Sequence, residues 1–495
     1  LSRLFATIFA IMAFGGALFS LNQANRLELP AAFLYAASAI GVSVAGDLLT
    51  VFVFWELMAI GSTLVLWSAQ TSASYRASTR YLMVHLLGGV VLLAGIAGHV
   101  SETGSLAFQA MSPDRLSHWL ILAGFLLNAG APPLSAWLPD AYPEASWSGT
   151  VFLSAFTTKT AVYALMRGFP GAEVLIYIGL FMVFYGIVYA LLENDMRRIL
   201  AYSIVNQVGF MVTGIGIGTE MALNGTASHA FTHILYKALL LMSAGSVLFM
   251  TGKRKCTDLG GLYQSMPITA VCGIVGALAI SSFPLTSGFV SKSMIGQSAA
   301  DGHLFVVWML LAAASAGVFL HAGIKFPWFV FFQKDSGLRP ADPPLNMRLA
   351  MVLFALLCVG LGVIYGPLYR LLPYPVDYAP YTGAHVVAQL QLLLFSGLAF
   401  FAMLGWLRRT LTITLDLDWF YRRLFPEIAG GIESFIGAAR TAVTTAIAAG
   451  AGRARRWVHR WHGPRGILAR TWPSGSMALW MMVMLLALLA SEYLL

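Results

Sequence analysis

Apolar runs long enough to cross a lipid bilayer recur along almost the whole chain, and no other property narrows its fold as far. A helix needs about 20 apolar residues to cross the hydrocarbon core, where no water is at hand to bond an open backbone group. Hydropathy places about fourteen such segments, at roughly 3–22, 30–46, 48–67, 80–99, 118–134, 150–167, 173–192, 199–217, 226–250, 267–297, 304–332, 347–369, 386–406 and 475–494. Hydrophobic residues make up 58% of the sequence and charged residues 10%, so no soluble domain of useful size fits between the segments. The expected class is an all-α polytopic membrane protein.

If each segment crosses once, the basic residues test the arrangement. One side collects Arg26, Arg76, Arg80, Arg197, Arg198, Lys253, Arg254, Lys255, Lys334, Arg339, Arg348, Arg408 and the ten that follow it, 22 of the 30 lysines and arginines. The other side has Arg3, Arg115, Arg167 and Arg370, while Lys159, Lys237, Lys292 and Lys325 fall inside segments. Such an asymmetry puts the basic side in the cytoplasm, and it assigns the net charge of +9 to membrane topology rather than to nucleic acid. The chain starts at Leu1 rather than at a methionine, so its true start is expected to be missing. Cys256, Cys272 and Cys358 lie too far apart in sequence to suggest a disulfide framework, a zinc site or an iron–sulfur cluster.

Two apolar segments are interrupted. NAGAPPLSAW, from Asn128, and ISSFPLTSGF, from Ile280, each place proline inside a run, removing backbone donors. Broken backbone at membrane depth is tolerated only inside protein or beside a water-filled cavity. The two breaks lie five segments apart, and Lys159 in the sixth segment is matched by Lys325 in the eleventh, which suggests two inverted repeats. Between the last two segments, Ile428, Ile432, Phe435, Ile436, Ala439, Val443 and Ile447 recur at helical spacing. A long amphipathic helix is expected there, with Arg453, Arg455, Arg456, Arg460, Trp457 and Trp461 in the headgroup zone. It suits either a membrane-surface anchor or a lateral helix packed along neighbouring subunits. The expected organisation is an N-terminal helix and loop over 1–29, repeats over 30–172 and 173–332, additional helices over 333–406, the amphipathic segment over 407–474 and a final span over 475–495.

Ionisable groups inside apolar helices are expensive and are normally kept for a purpose. Glu56 is the one such group in the middle of the third segment; it is either neutral or paired with a cation. Lys159 and Lys237 are candidate partners or proton relays, because burial makes an amine readier to release its proton; the competing reading is that the amine reaches out to the interface. His229, His233 and Lys237, at i, i+4 and i+8, share one helix face and can pass protons, or they are satisfied interhelical hydrogen bonds. No carboxylate or cysteine near them in sequence suggests a metal. His85 and His321 are single, weaker candidates. Lys292 follows the second break and suits a terminal gate, or reaches the interface, as does Lys325. Asp140 and Glu144, in a loop on the basic side, serve proton intake or are simply solvated. No nucleophile–base pair, ligand cluster or phosphate loop appears, and GIGIG at 214–218 ends a membrane helix with no strand before it. No catalytic site or cofactor is expected in this chain.

The runs GDLLTVFVFWELM, APPLSAWLPDAYPEA, FTTKTAVYALMR, ILAYSIVNQVGF, HILYKALLLM and SGFVSKSMI, in that order, resemble the antiporter-like membrane subunits shared by Mrp-type cation/proton antiporters and respiratory complex I. WLPDAYPEA and the tail LDLDWFYRRL are most similar to the Mrp D subunit; the resemblance covers roughly residues 1–400. It implies that Glu56 is the charge-paired glutamate, Lys159 the relay lysine after the first broken helix, His233 and Lys237 the central relay, and Lys292 the terminal lysine. Three departures stand out. Asn128 occupies the place of a lysine that pairs with the glutamate, leaving Glu56 neutral or paired with Lys159. Gln207 aligns with a histidine. The resemblance also starts at the family's third helix, so two N-terminal spans are expected to be absent, trimmed or supplied by another chain. The implied function is proton translocation within a multi-subunit complex of the bacterial cytoplasmic membrane, with Na⁺/H⁺ exchange of the Mrp type, partners that include a homologous subunit, and lipid around it. The alternatives are a proton-pumping arm of a complex I-like or hydrogenase redox complex, and a scaffold with degenerate transport.

Overall fold

The structure, a computed structural model, describes residues 1–405 and 416–494; the start of the amphipathic segment expected from 407 lies outside the described residues. The chain is all-α. In order it forms α1 (Ser2–Phe19), α2 (Glu28–Val44), α3 (Leu48–Trp67), α4 (Ser72–Thr103), α5 (Leu116–Ala129), α6 (Thr157–Gly168), α7 (Val174–Leu192), α8 (Met196–Ile217) and α9 (Glu220–Thr251). There follow α10 (Pro267–Ile280), α11 (Phe289–Asp301), α12 (Phe305–Val318), α13 (Leu345–Val363), α14 (Gly383–Ala402), α15 (Phe425–His462) and α16 (Ser474–Leu494). Wider π-helical turns at Phe319–Lys325 and Trp328–Phe332 extend α12. Among the described residues, ten helices are long and apolar enough to cross a membrane. Each segment expected from hydropathy corresponds to a helix or to a broken helix. The chain divides into two compact units, Leu1–Phe420 and Tyr421–Leu495. The second contains α16 and the expected amphipathic helix as α15, 38 residues long.

Helix starts follow local chemistry. The Asp47 carboxylate accepts from Thr50 N at 2.8 Å to cap α3, Thr71 and Ser74 cap one another's backbone at α4, and Asp195 accepts from Arg197 N and Arg198 N at α8. Both expected breaks are present. α5 stops at Gly130, whose φ of +80° favours glycine, and the chain passes Pro132 and Pro133 before short helical turns at Trp137–Ala141 and Gly149–Leu153 lead into α6. α10 stops at Ile280, and Pro284 lies in the irregular stretch before α11.

α8 lies at the centre of the first unit. Its apolar stretch is buried on every side, and α9 is buried over most of its length. By contrast α13 and α14 leave most of their surface outside the packed interior, as lipid-facing helices do. The α7–α8 contact is close enough to be backbone against backbone. A Cβ on Gly209 would lie 2.6 Å from Gly179 O, and one on Gly186 would lie 2.6 Å from Tyr202 O. Small residues allow this approach where no hydrophobic force draws helices together in lipid.

Gly209→Val forces α7 and α8 apart and is expected to cost ~1–3 kcal/mol or more, since overpacking a filled interior costs that much. Gly360→Val, whose added Cβ meets nothing within 4 Å, is the control. Thermal unfolding of the detergent-solubilised protein checks both: the first variant melts earlier, the second near wild type.

Candidate functional site

The titratable groups of α6, α9 and α11 converge on α8. Lys159, His229, His233 and Lys237 are fully buried, so neither Lys159 nor Lys237 reaches the interface. Lys159 Nζ donates to Ser154 O at 2.7 Å and to Thr158 Oγ1 at 3.0 Å. Lys237 Nζ donates to Ser203 Oγ at 2.8 Å and to Leu200 O at 3.4 Å, both on α8. Between the two amines lies His233, within electrostatic reach of both, and neither of its ring nitrogens has a hydrogen-bond partner among the described residues. His229, one turn earlier, faces Gln207 Oε1 at 3.1 Å through Nε2 and Ser291 Oγ at 3.5 Å through Nδ1. Because an amide oxygen only accepts, Nε2 carries the hydrogen and Nδ1 keeps a lone pair toward α11. Gln207 thus orients His229 and also accepts from Tyr236 OH at 3.3 Å.

Lys292 completes the row. It is 5% exposed, His229 feels its charge, and its Nζ lies 4.8 Å from the centre of the Phe210 ring, with no hydrogen-bond partner among the described residues. His321, in the π-helical part of α12, donates from Nδ1 to Gly317 O at 2.8 Å; its Nε2 is unpartnered among the described residues and within reach of the Lys237 and Lys292 charges. Electrostatic interaction links these groups, His233 with Lys159, Lys237 and His229, and His229 with Lys159 and Lys292.

Other candidates do not join it. Lys325 neither reaches the interface nor resembles Lys159 in role: its Nζ donates to Ala190 O, Leu191 O and Glu193 O at 3.0, 2.6 and 2.5 Å, closing the end of α7. Glu56 is half-buried against Gly89 of α4, with Oε1 unpartnered, and forms no ion pair among the described residues, so the pairing with Lys159 is not made. Asn128 is buried with both amide atoms unpartnered among the described residues. His85 donates from Nδ1 to Tyr81 O at 2.9 Å and stacks on that ring at 3.9 Å.

On the basic side, the two carboxylates expected to serve proton intake or to be simply solvated are each paired with an arginine. Asp140 is buried and receives Arg80 through two bonds of 2.7 and 2.8 Å. Glu144 meets Arg254 at 3.0 Å, and Arg254 also meets Asp195 at 2.8 Å. Two features escaped sequence reasoning. Glu28, fully buried, accepts from Ser148, from Ser146 at 2.6 Å, Ser68 at 2.7 Å and Gln23 at 3.1 Å. Tyr35 and Tyr81 hydroxyls lie 2.5 and 3.4 Å from Thr157 Oγ1, with Ser62 bonded to Tyr81 at 2.9 Å. Tyrosines inside apolar helices were the available signal for the second; nothing local marks the first. No group of three or more His, Cys, Asp or Glu side chains is placed to hold a metal among the described residues.

Residues 45–318 match the family model described as NADH:quinone oxidoreductase/Mrp antiporter, transmembrane. The chain is 31% identical to the D subunit of the Na(+)/H(+) antiporter of Alkalihalophilus pseudofirmus, over 73% of this chain and 79% of that one. It is 30% identical to the N subunit of the NADH-quinone oxidoreductase of Desulforudis audaxviator, over 68% and 72%. Among solved structures it matches a chain of the membrane-bound sulfane sulfur reductase, an archaeal respiratory membrane complex, with TM-score 0.71 and 25% identity, over 99% of this chain and 88% of that one.

The Arg80–Asp140 pair gives a direct test of the ionic layer. Removing one partner of a buried ion pair costs up to about 3–5 kcal/mol, whereas replacing both with apolar residues is often close to neutral. Arg80→Leu is therefore expected to lower the unfolding temperature more than Arg80→Leu combined with Asp140→Leu. Thermal denaturation of the two variants side by side measures the difference.

Proposed function

The chain belongs to the NADH:quinone oxidoreductase/Mrp antiporter family of membrane subunits, and on that premise we propose that it moves protons across the bacterial cytoplasmic membrane in exchange for Na⁺. It does so as one antiporter-like subunit of a larger complex. The observation that carries this reading is the burial together of Lys159, His233, His229, Lys237 and Lys292 within one set of packed helices. Each member is costly alone in a membrane, and together they offer amine and imidazole sites within electrostatic reach of one another.

The row supports a relay in which a proton received at Lys159 passes His233 to Lys237 and reaches Lys292 through His229 or His321. His233 suits the middle step: an imidazole with both nitrogens unengaged can take a proton from one amine and release it to the other. Lys159 and Lys237 each have backbone or hydroxyl acceptors that hold the charged form in place without an anion to lock it there. Intake begins near the Arg80–Asp140 and Arg254–Glu144 pairs. Asn128 cannot carry charge, so Glu56 is left without the cation that the family's switch employs, and the coupling in this protein runs from Lys159 onward. A homologous antiporter-like subunit is the expected neighbour, since the relatives are themselves named as subunits.

A second reading is favoured by the match to the respiratory reductase over 99% of this chain and by the identity with the oxidoreductase N subunit. In it the same row carries protons driven by a redox partner rather than by a cation gradient. Dependence of proton flux on added Na⁺ separates the two readings.

Lys237→Ala is expected to abolish coupled transport, with the complex still assembled. Acidification of proteoliposomes followed with a pH dye measures it; wild-type flux in the assembled variant removes the row from the mechanism.

A further inference from the structure

Between α11, α12 and α14 lies a cavity of about 330 Å³. At about 30 Å³ per liquid water it has room for on the order of ten. Its lining is mixed: Lys292, Ser293 and Gln297 come from α11, Ser315 from α12, and His385 and Gln389 from α14. The last two lie beyond the part of the chain that matches the family model. Lys292 is the one lysine of the row with no hydrogen-bond acceptor among the described residues, and the cavity is where acceptors for its three hydrogens can sit.

His385 is held in a defined state. Its Nδ1 lies 2.6 Å from Pro380 O, and a carbonyl only accepts, so Nδ1 carries the hydrogen and Nε2 keeps its lone pair. The ring lies flat on Phe289, with centroids 4.5 Å apart and an interplanar angle of 19°; Phe289 is one helical turn before Lys292 on α11. Just ahead of His385, residues 382–384 are exposed. A basic nitrogen is thus fixed between a buried amine and an exposed loop. The titratable and charged groups around it are Lys292 on α11, Tyr378 and Tyr381 in the preceding loop, and Asp301, which receives Gln297 at 2.7 Å. No carboxylate lines the cavity among the described residues.

We propose that this cavity is the outer vestibule of the proton path and that His385 is the group through which Lys292 exchanges protons with the outer solvent. The inference rests on the transport reading above. The Lys292 ammonium gives a proton to a vestibule water, and that water gives one to His385 Nε2. The neutral amine and an imidazolium remain. The imidazolium then releases its proton to the outer solvent, and uptake follows the same steps in reverse. The serine and glutamine side chains supply bonding partners for the intervening water. His385 is a titrating intermediary at the mouth, and Gln389, whose Nε2 donates to Ser281 O at 3.1 Å, ties α14 to the end of α10 so that the ring stays over Phe289.

His385→Asn tests this in the assembled complex in proteoliposomes, because asparagine keeps an N–H toward Pro380 O and removes the titrating nitrogen. Wild-type flux is expected to show an inflection as pH on the outer side is varied. In the variant that inflection disappears, flux falls roughly 10²-fold, the low end of what a positioned acid–base group supplies, and added imidazole restores part of it. Retention of the wild-type outer-pH profile overturns the proposal, as does a loss of flux that imidazole does not rescue. His385→Gln is the substitute should the asparagine variant not assemble. Were Lys237→Ala inactive and His385→Asn wild-type, the vestibule assignment would fall and the transport reading stand; were Lys237→Ala active, the transport reading would fall first.

Discussion

A charged or hydrogen-bonding side chain in a membrane must be turned away from lipid, and the arrangement of this protein follows from that requirement. Four lysines and several histidines lie within apolar helices, and each would cost several kcal/mol facing hydrocarbon. The chain accommodates them by enclosing the apolar stretch of α8 and most of α9 and leaving the apolar faces of the peripheral helices outside. Burial then removes water from the amines, so they need acceptors supplied by protein. Lys159 and Lys237 find them in carbonyls and hydroxyls rather than in carboxylates.

The acceptors exist because the helices are interrupted. Ser154 O is available to Lys159 because the chain is still irregular between the short turn at Gly149–Leu153 and α6. Ala190 O, Leu191 O and Glu193 O are free at the end of α7, and Lys325 occupies them. The proposed inverted repeat pairs Lys159 with Lys325, yet the two amines stand in different settings. Three backbone acceptors hold Lys325 at the end of α7, while Lys159 has two acceptors at the start of its own helix and interacts with His233. Equivalent places in a repeat therefore need not do equivalent work.

Much of this was legible in the sequence because its signals are local. Hydropathy marks the spans, proline marks both breaks, and the i, i+4, i+8 spacing puts His229, His233 and Lys237 on one face. The carboxylates were not legible, since their partners are distant in sequence: Arg80 is 60 residues from Asp140, and Ser148 is 120 from Glu28. Asp140 and Glu144 look solvated in a loop and are bound to arginines from other helices. Glu28 sits at the edge of an apolar run, where a carboxylate is normally wet, and only the packed fold encloses it in serines. The state of Glu56 depended on whether Lys159 turns toward it, which composition cannot decide; Lys159 turns to its own helix start instead.

That choice has a consequence for how charge is distributed along the molecule. In the half that ends at α6, the acidic member is alone: Glu56 has no cation, and Asn128 offers an amide where an amine would attract it. Asp140, Glu144 and Asp195, at the basic side, are each bound to arginine, a residue that does not give up its proton. Among the described residues, no carboxylate pairs with Lys159, His229, His233, Lys237 or Lys292, and each added proton raises the electrostatic cost of the next. A row of this kind holds few protons at once, and the proposed relay moves them by repulsion: a proton arriving at Lys159 makes the one at Lys237 easier to lose, and that in turn unsettles Lys292. In that proposed relay the exchange with the outside falls at the Lys292 end, where the amine has no hydrogen-bond partner among the described residues and faces a cavity.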